Sequence, residues 1–321
     1  MTDAKQVEAA LGPVAAGRAS VRMKDGRADI ILDVTGLPQA ARDALEADVK
    51  GAAAAVPGVE QVRIAQTQSR VERALIAIAS GKGGVGKSTV SANLAIALAR
   101  GGRKVGLVDA DIYGPSQPKL MGVEGTKPQA REKTLLPVPT PYDVPILSMG
   151  QMVDAGSALA WRGPMAASAL GQLVDADWGD RDTILIDLPP GTGDVQLTMV
   201  QKHKPAGAVI VCTPQDLALI DARRAIDLFT KTGVPILGIV ENMAGYTCPE
   251  CGAISDPFGR GGAEAAANDL GIPFLGRIPL DIAIRTSSDA GTPPAAGNGA
   301  EAEAFVGIAK KVAERIATLK G

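Results

Sequence analysis

Residues Ser80 to Thr89 read SGKGGVGKST, and they constrain the rest of the chain more than any other stretch. They follow the apolar run Ala74-Leu75-Ile76-Ala77-Ile78-Ala79 and lead into Val90 to Ala99, a series of good helix formers. A buried strand, a glycine-rich turn and a helix form the setting that a phosphate-binding loop requires. Gly81, Gly83, Gly84 and Gly86 let successive backbone N–H groups converge on phosphate oxygens without Cβ clashes. The helix start adds a partial positive charge and Lys87 a full one, while Ser88 offers a hydroxyl to Mg²⁺. The spacing from Gly81 to Lys87-Ser88 fits G-x-x-x-x-G-K-[ST], so Gly81 to Thr89, with Val85 among them, are expected to hold a nucleotide.

Lys82 is the unusual member, a second lysine directly after the first glycine. This resembles the loop K-G-G-x-G-K-[ST] of the MinD/ParA/Mrp class of dimeric ATPases. The resemblance implies that Lys82 reaches across a dimer interface to the partner's nucleotide.

Three further stretches carry chemistry. Val108-Asp109-Ala110-Asp111 ends a predicted strand, and open parallel sheets place their ligands at such ends. Thr183-Ile184-Leu185-Ile186-Asp187 is another apolar strand, and its terminal carboxylate suits Mg²⁺ held through water. The loop after it, Leu188-Pro189-Pro190-Gly191-Thr192-Gly193-Asp194, is glycine-rich and placed to respond to a γ-phosphate. Cys248-Pro249-Glu250-Cys251 is a C-x-x-C, which serves as a redox pair, half a zinc site or half an iron–sulfur site. Zinc and a cubane cluster both take four ligands, and this pair supplies two. Ligation across a twofold axis follows, with Cys248 and Cys251 from each of two subunits. Cys212 lies inside a strand and is expected to be buried, and His203, the one histidine, to be solvated between lysines.

Together these motifs, with Trp161-Arg162-Gly163-Pro164-Met165 and Trp178-Gly179-Asp180, resemble the Mrp/ApbC family of iron–sulfur cluster carrier ATPases over residues 71 to 320. The resemblance implies a homodimer that binds ATP and Mg²⁺, hydrolyses ATP, and holds a [4Fe-4S] cluster at the subunit boundary. Scaffold proteins would supply the cluster and apo iron–sulfur proteins would receive it. It further implies that Asp111 positions the attacking water, that Asp109 supports the metal's water shell, and that Asn242 reads the adenine edge. Two alternatives stay open: a MinD/ParA-like positioning ATPase, and a zinc-bridged dimeric switch.

From residue 71 on, apolar strands alternate with helical segments, which predicts an α/β P-loop NTPase domain over 71–321 with a mostly parallel sheet flanked by helices. The strands are expected at 73–79, 104–109, 144–148, 183–188, 207–213, 235–241 and 273–278. Residues 1–64 read as a small separate α/β module, with a helix near Val7 to Val14, a hairpin across Lys24-Asp25-Gly26, a helix over 40–54 and a strand at 61–64. This module resembles the small domain that precedes the ATPase in many Mrp-type proteins and that occurs alone in iron–sulfur assembly factors. Residues 65–70 are the expected linker, and the Pro-rich stretch 125–145 a surface excursion.

Composition excludes some roles. A formal net charge of −2 gives no basis for nonspecific nucleic-acid binding, and 3% aromatic residues leave little for base stacking. No signal-peptide core or apolar run of membrane-spanning length is present. The last helix, over 301–319, sets Phe305, Ile308, Val312, Ile316 and Leu319 on one face, with balanced charge that favours packing on the body over membrane docking. Three cysteines do not make a disulfide framework. The expected setting is cytoplasmic.

Overall fold

Asp25 and Gly26 both take left-handed backbone conformations, with φ of 48° and 76°. That is the turn that folds two adjacent strands tightly back on each other. In the computed structural model, which describes residues 4–37, 39–67, 73–112, 114–131, 134–152 and 163–319, this turn joins β1 (Ala19–Lys24) to β2 (Arg27–Asp33). The helix α1 (Ala4–Ala15) precedes the hairpin, and α2 (Gln39–Ala54) crosses over to β3 (Gln61–Thr67), parallel to β2. Ala28, Ile30 and Leu32 alternate inward from β2 and meet Val7 and Leu11 of α1 and Val49 and Ala53 of α2. The chain divides into two compact units, Met1–Glu72 with Gly179–Arg181, and the remainder.

The linker expected over 65–70 begins later than its polar side chains imply. Ala65, Gln66 and Thr67 pair with Ile31, Leu32 and Asp33, so they extend β3. At this edge of the sheet Val62 and Ile64 still turn toward the core, whereas Ala65, Gln66 and Thr67 are all exposed, so no apolar alternation marks the end of β3. Residues 68–70 lie outside the described residues.

The second unit begins with β4 (Ala74–Ala79), α3 (Lys87–Arg100), β5 (Val105–Asp109) and the short α4 (Gln117–Leu120). A small hairpin of β6 (Gln129–Arg131) and β7 (Thr134–Leu136) occupies the predicted excursion, whose Val138 and Val144 nevertheless bury. Then follow β8 (Ile146–Ser148), α5 (Gly163–Val174), β9 (Thr183–Asp187), α6 (Asp194–His203), β10 (Gly207–Cys212) and α7 (Asp216–Lys231). The chain closes with β11 (Ile236–Thr247), β12 (Ile254–Ser255), α8 (Gly262–Leu270), β13 (Phe274–Leu280), α9 (Ile282–Asp289) and α10 (Ala300–Thr318).

Apart from the β6–β7 pair, the strands of this unit form one sheet in the order β12-β11-β10-β4-β9-β5-β8, with β13 also paired to β11. Every ladder in it is parallel except that of β11 with β12. The predicted strands are all found. β5, β9 and β10 are buried throughout, as expected of parallel strands covered on both faces. From β4, Ile76 and Ile78 pack toward Leu94 and Leu98 of α3 and Phe305 and Ile308 of α10, whereas Ala77 and Ala79 pack toward Leu170 of α5 and Phe229 of α7. The crossovers thus bring the C-terminal ends of β4, β5 and β9 together.

Phe305, Ile308, Val312 and Ile316 bury against the body as predicted, while Leu319, just past the helix end, is 40% exposed. His203 differs from expectation: it ends α6 half-buried, its Nε2 has no hydrogen-bond partner, and burial lowers its pKa. Trp161, Arg162 and Tyr113 lie outside the described residues, and Trp178 is buried with its Nε1–H donating to Leu173 O at 3.1 Å. Among the described residues, no helix is long and apolar enough to cross a membrane.

Because Phe305 is buried between α10 and the sheet, Phe305→Ala is expected to destabilise the second unit by about 3–5 kcal/mol through lost transfer energy and a residual cavity. Urea unfolding followed by circular dichroism should show a lower midpoint with an unchanged slope.

Candidate nucleotide site and cysteine turn

The loop after β4 is shaped by two close approaches. A Cβ at Gly81 would lie 2.1 Å from the backbone carbonyl carbon of Asp221 in α7, and one at Gly86 would lie 2.2 Å from Asn242 Nδ2. Gly84 and Gly86 also have φ of 78° and 79°, which L side chains rarely adopt. Ser80 Oγ donates to Lys82 O at 2.9 Å, and Gly191 N, from the loop after β9, donates to Ser80 O at 2.9 Å. Gly86 caps α3 without a side-chain hydrogen bond, so the N–H groups of the first turn stay available to an anion. The cleft over this loop holds about 210 Å³ and is lined by Ser80, residues 82–89, Asp111 and Pro190.

Beneath it lies a buried polar hub. Lys87 Nζ sits 2.6 Å from Asp187 Oδ1, in a pair 6% and 0% exposed. Ser91 Oγ donates to the same oxygen at 2.8 Å. Gln117 Nε2 donates to Asp187 Oδ2 at 2.9 Å and to Ser88 O at 3.0 Å.

Asp109 faces Asp187 across the β5–β9 ladder. Its Oδ2 accepts from Ser116 N at 3.0 Å, Gln117 N at 3.1 Å and Ser148 Oγ at 2.9 Å, and its Oδ1 from Asp111 N at 3.2 Å. Burial, and secondarily the charge of Asp187, pushes its pKa up to about 7. Asp109, expected to support the metal's water shell, is wholly buried, and these bonds fasten the segment from Asp111 to Gln117. Asp111 does line the cleft, and its Oδ1 accepts from Gly114 N at 3.2 Å.

The strand β11 links this site to the cysteines. Asn242 Nδ2 donates to Val85 O at 2.8 Å, which leaves Oδ1 as its acceptor for recognition. Beyond Asn242 the strand departs from regular pairing. Asn242 pairs with Ile278 and Tyr246 with Leu280, so β11 carries two extra residues there, with Met243 at φ 61° and Gly245 at φ 80°. Preceding Asn242, the buried Glu241 accepts from Gly261 N at 3.0 Å, Ala263 N at 2.8 Å and Arg277 Nε at 2.9 Å, so it seats the start of α8 against the sheet. Sequence reading missed Glu241, although a carboxylate ending an apolar strand next to Asn242 was a signal.

β11 and β12 form a hairpin whose turn is the C-x-x-C. Cys248 N donates to Ala253 O and Gly252 N to Cys248 O, each at 2.9 Å. The Cys248 sulfur accepts from the backbone N–H groups of Cys251 and Glu250 and meets the Cys251 side chain, which together lower its pKa. Cys248 is half-buried and Cys251 exposed, whereas Cys212 in β10 is buried and its thiol is pushed up to about 12 by burial and the nearby Glu241. Among the described residues no group of three or more His, Cys, Asp or Glu side chains gathers to hold a metal. The turn offers two thiols and a second copy of it would complete four.

A glycine-wrapped loop between a parallel strand and a helix, with a lysine–carboxylate pair beneath it, defines a nucleotide-binding P-loop NTPase of the α/β class. A family model described as "ParA: NUBPL iron-transfer P-loop NTPase" matches residues 71–315, and the chain belongs to this family, as its resemblance to the Mrp/ApbC proteins anticipates. It is 51% identical over 224 residues to an iron-sulfur cluster carrier protein of Pseudomonas fragi, covering 69% of this chain and 78% of that one. It is 45% identical over 284 residues to an iron-sulfur cluster carrier protein of Deinococcus radiodurans, covering 85% and 81%. Among solved structures, it is similar to a nucleotide-binding protein from Archaeoglobus fulgidus in complex with ADP, with a TM-score of 0.60 and 43% identity over 68% of this chain and 86% of that one.

The three thiols should separate by environment. In the native protein near neutral pH, Cys248 and Cys251 are expected to react with a chromogenic disulfide reagent, Cys248 the faster, and Cys212 only after denaturation. Counting reacted thiols before and after adding guanidinium checks this.

Proposed function

We propose that the protein is an ATP-dependent iron–sulfur cluster carrier of the cytoplasm. In this reading a homodimer holds a [4Fe-4S] cluster through Cys248 and Cys251 of each subunit, receives it from scaffold proteins, hydrolyses ATP and passes the cluster to apo iron–sulfur proteins. The observation that carries the reading is β11: the strand ties Asn242 to the phosphate loop and ends one residue before Cys248. Six residues of strand span at most about 20 Å, so nucleotide site and cysteine turn share one short stretch of backbone. The similarity to proteins named as iron-sulfur cluster carriers supports the cargo.

At the nucleotide, Lys87 leaves Asp187 for the phosphates, and the N–H groups of residues 83–88 close around them. The residues freed by that exchange, Asp187 and the Ser88 hydroxyl, present hard oxygen donors that fit Mg²⁺. Bound there, Mg²⁺ would neutralise charge on the phosphates. Asp111 orients the attacking water from the cleft wall, and Asn242 Oδ1 accepts from the adenine amino group. Asp109 acts at one remove, through the segment it fastens. Lys82, on the cleft rim, crosses to the partner's nucleotide. Lys87 follows the loop whose Val85 O accepts from Asn242, so a shift of Lys87 toward the phosphates gives nucleotide state a route through Val85 and along β11 to the cysteine hold. The apolar face of α10, from Phe305 to Ile316, is buried against the body, which favours the carrier reading over a positioning ATPase.

Anaerobic purification with iron, sulfide and zinc analysis and a visible spectrum tests the cargo. The native protein should reconstitute a brown cluster of about four irons per dimer, and Cys248→Ser and Cys251→Ser should each abolish it. Equal cluster content in the variants, or a colourless zinc-loaded dimer, would overturn the carrier reading.

The two lysines should differ in kind. Lys87→Ala is expected to lower ATP turnover by roughly 100-fold or more and to weaken nucleotide binding, whereas Lys82→Ala lowers turnover while sparing most of the binding. Steady-state hydrolysis alongside equilibrium binding separates them, and wild-type turnover in Lys82→Ala would count against chemistry across the interface.

A further inference from the structure

Gln117 is wholly buried where the ends of β5 and β9 meet the start of α3. Its backbone N–H donates to Asp109 Oδ2 at 3.1 Å, and its Nε2 donates to Asp187 Oδ2 at 2.9 Å and to Ser88 O at 3.0 Å. A carboxylate and a carbonyl are both acceptors, so the orientation of this amide is dictated. Turned by 180°, Oε1 would face two acceptors and both hydrogen bonds would be lost. Oε1 is therefore the other terminus, and it is buried without any hydrogen-bond partner in the protein. A buried acceptor left unsatisfied is unfavourable and calls for an explanation, an ordered water or a bound ion's water among them. Here the orphan belongs to a side chain that already holds Ser88 and Asp187, the two residues assigned to Mg²⁺ in the reading above.

We propose that Gln117 is a positioning residue of the metal shell, with a separate task for each end of its amide. Nε2 holds Asp187 by Oδ2, so that Oδ1 is the oxygen released when Lys87 moves to the phosphates. Oε1 accepts a hydrogen bond from a water of the ion's hydration shell. An uncharged amide suits the place, because Asp109 and Asp187 already put two buried carboxylates side by side. The assignment rests on the Mg²⁺–nucleotide reading and adds to it a residue that ordinary phosphate-loop spacing does not reach.

The test is equilibrium binding of a fluorescent ADP analogue to the full chain, first in EDTA and then with increasing MgCl₂. Wild-type protein should bind more tightly as Mg²⁺ rises. Gln117→Leu, which removes both ends, should match wild type in EDTA yet need about tenfold more Mg²⁺ for half of the effect. Gln117→Met, of similar length and without an amide at either end, should behave as Gln117→Leu does, with wild-type binding in EDTA and the same shift in Mg²⁺. A merely structural role predicts that both variants lose ADP affinity in EDTA by as much as they lose it in Mg²⁺, and that result would overturn the proposal. So would a wild-type Mg²⁺ dependence in Gln117→Leu, or loss of binding in EDTA by both variants. A wild-type protein whose ADP affinity ignores Mg²⁺ would instead remove the metal reading itself, and the proposal with it.

Discussion

Lys87 and Asp187 are one hundred residues apart in the chain and 2.6 Å apart in the fold, in a pair almost without solvent. A buried charge pair has to be well supported, because removing one partner strands the other at a cost of about 3–5 kcal/mol. The support here is thorough: Ser91 and Gln117 share the two oxygens of Asp187, and Asp109 holds the backbone of Gln117. The same arrangement makes the pair exchangeable. In the function proposed above, a polyphosphate in the cleft offers Lys87 more negative charge than one carboxylate does, and Asp187 is then left with a lone-pair oxygen. The ion pair thus ties the start of α3 to the end of β9 beneath the loop.

The second organising element is β11. Its first half is an ordinary buried parallel strand between β10 and β13. Its second half, past the irregularity at Met243 and Gly245, is one arm of an exposed hairpin carrying the cysteines. A left-handed methionine is uncommon, and it lies where the methyl group of Met243 would come within 3.5 Å of a Cβ on Gly86. The chain therefore changes from rigid sheet to projecting turn right beside the phosphate loop. Glu241, bonded to both α8 and Arg277, anchors the strand just before that change.

Much of this was legible in the residues alone. The parallel strands show as apolar runs because both of their faces are covered, and the loop shows because its glycines answer to local backbone geometry. The C-x-x-C was recognisable as a two-ligand half-site by counting. Other features were not. The extension of β11 to Thr247 depends on a partner strand, β12, of only two residues, and no periodicity announces it. Ala65 to Thr67 looked like linker because an edge strand need not alternate. Gln117 carries no signal in its neighbourhood of sequence, since each group its amide touches comes from a different element.

What the sequence by itself determined is what contiguous residues encode: the strand–loop–helix of the phosphate site, the order of helices and strands, the packing face of α10 and the two-thiol turn. These follow from local sterics and the repeat of apolar side chains, which need no knowledge of distant partners. Only the tertiary structure decided that Lys87 rests on Asp187, that Asp109 fastens the segment from Asp111 to Gln117, that Asn242 bonds Val85, and that Gln117 has an unpartnered oxygen. Those facts arise from the order of strands in the sheet, which sets β4, β9 and β5 side by side and brings together carboxylates that the chain keeps far apart.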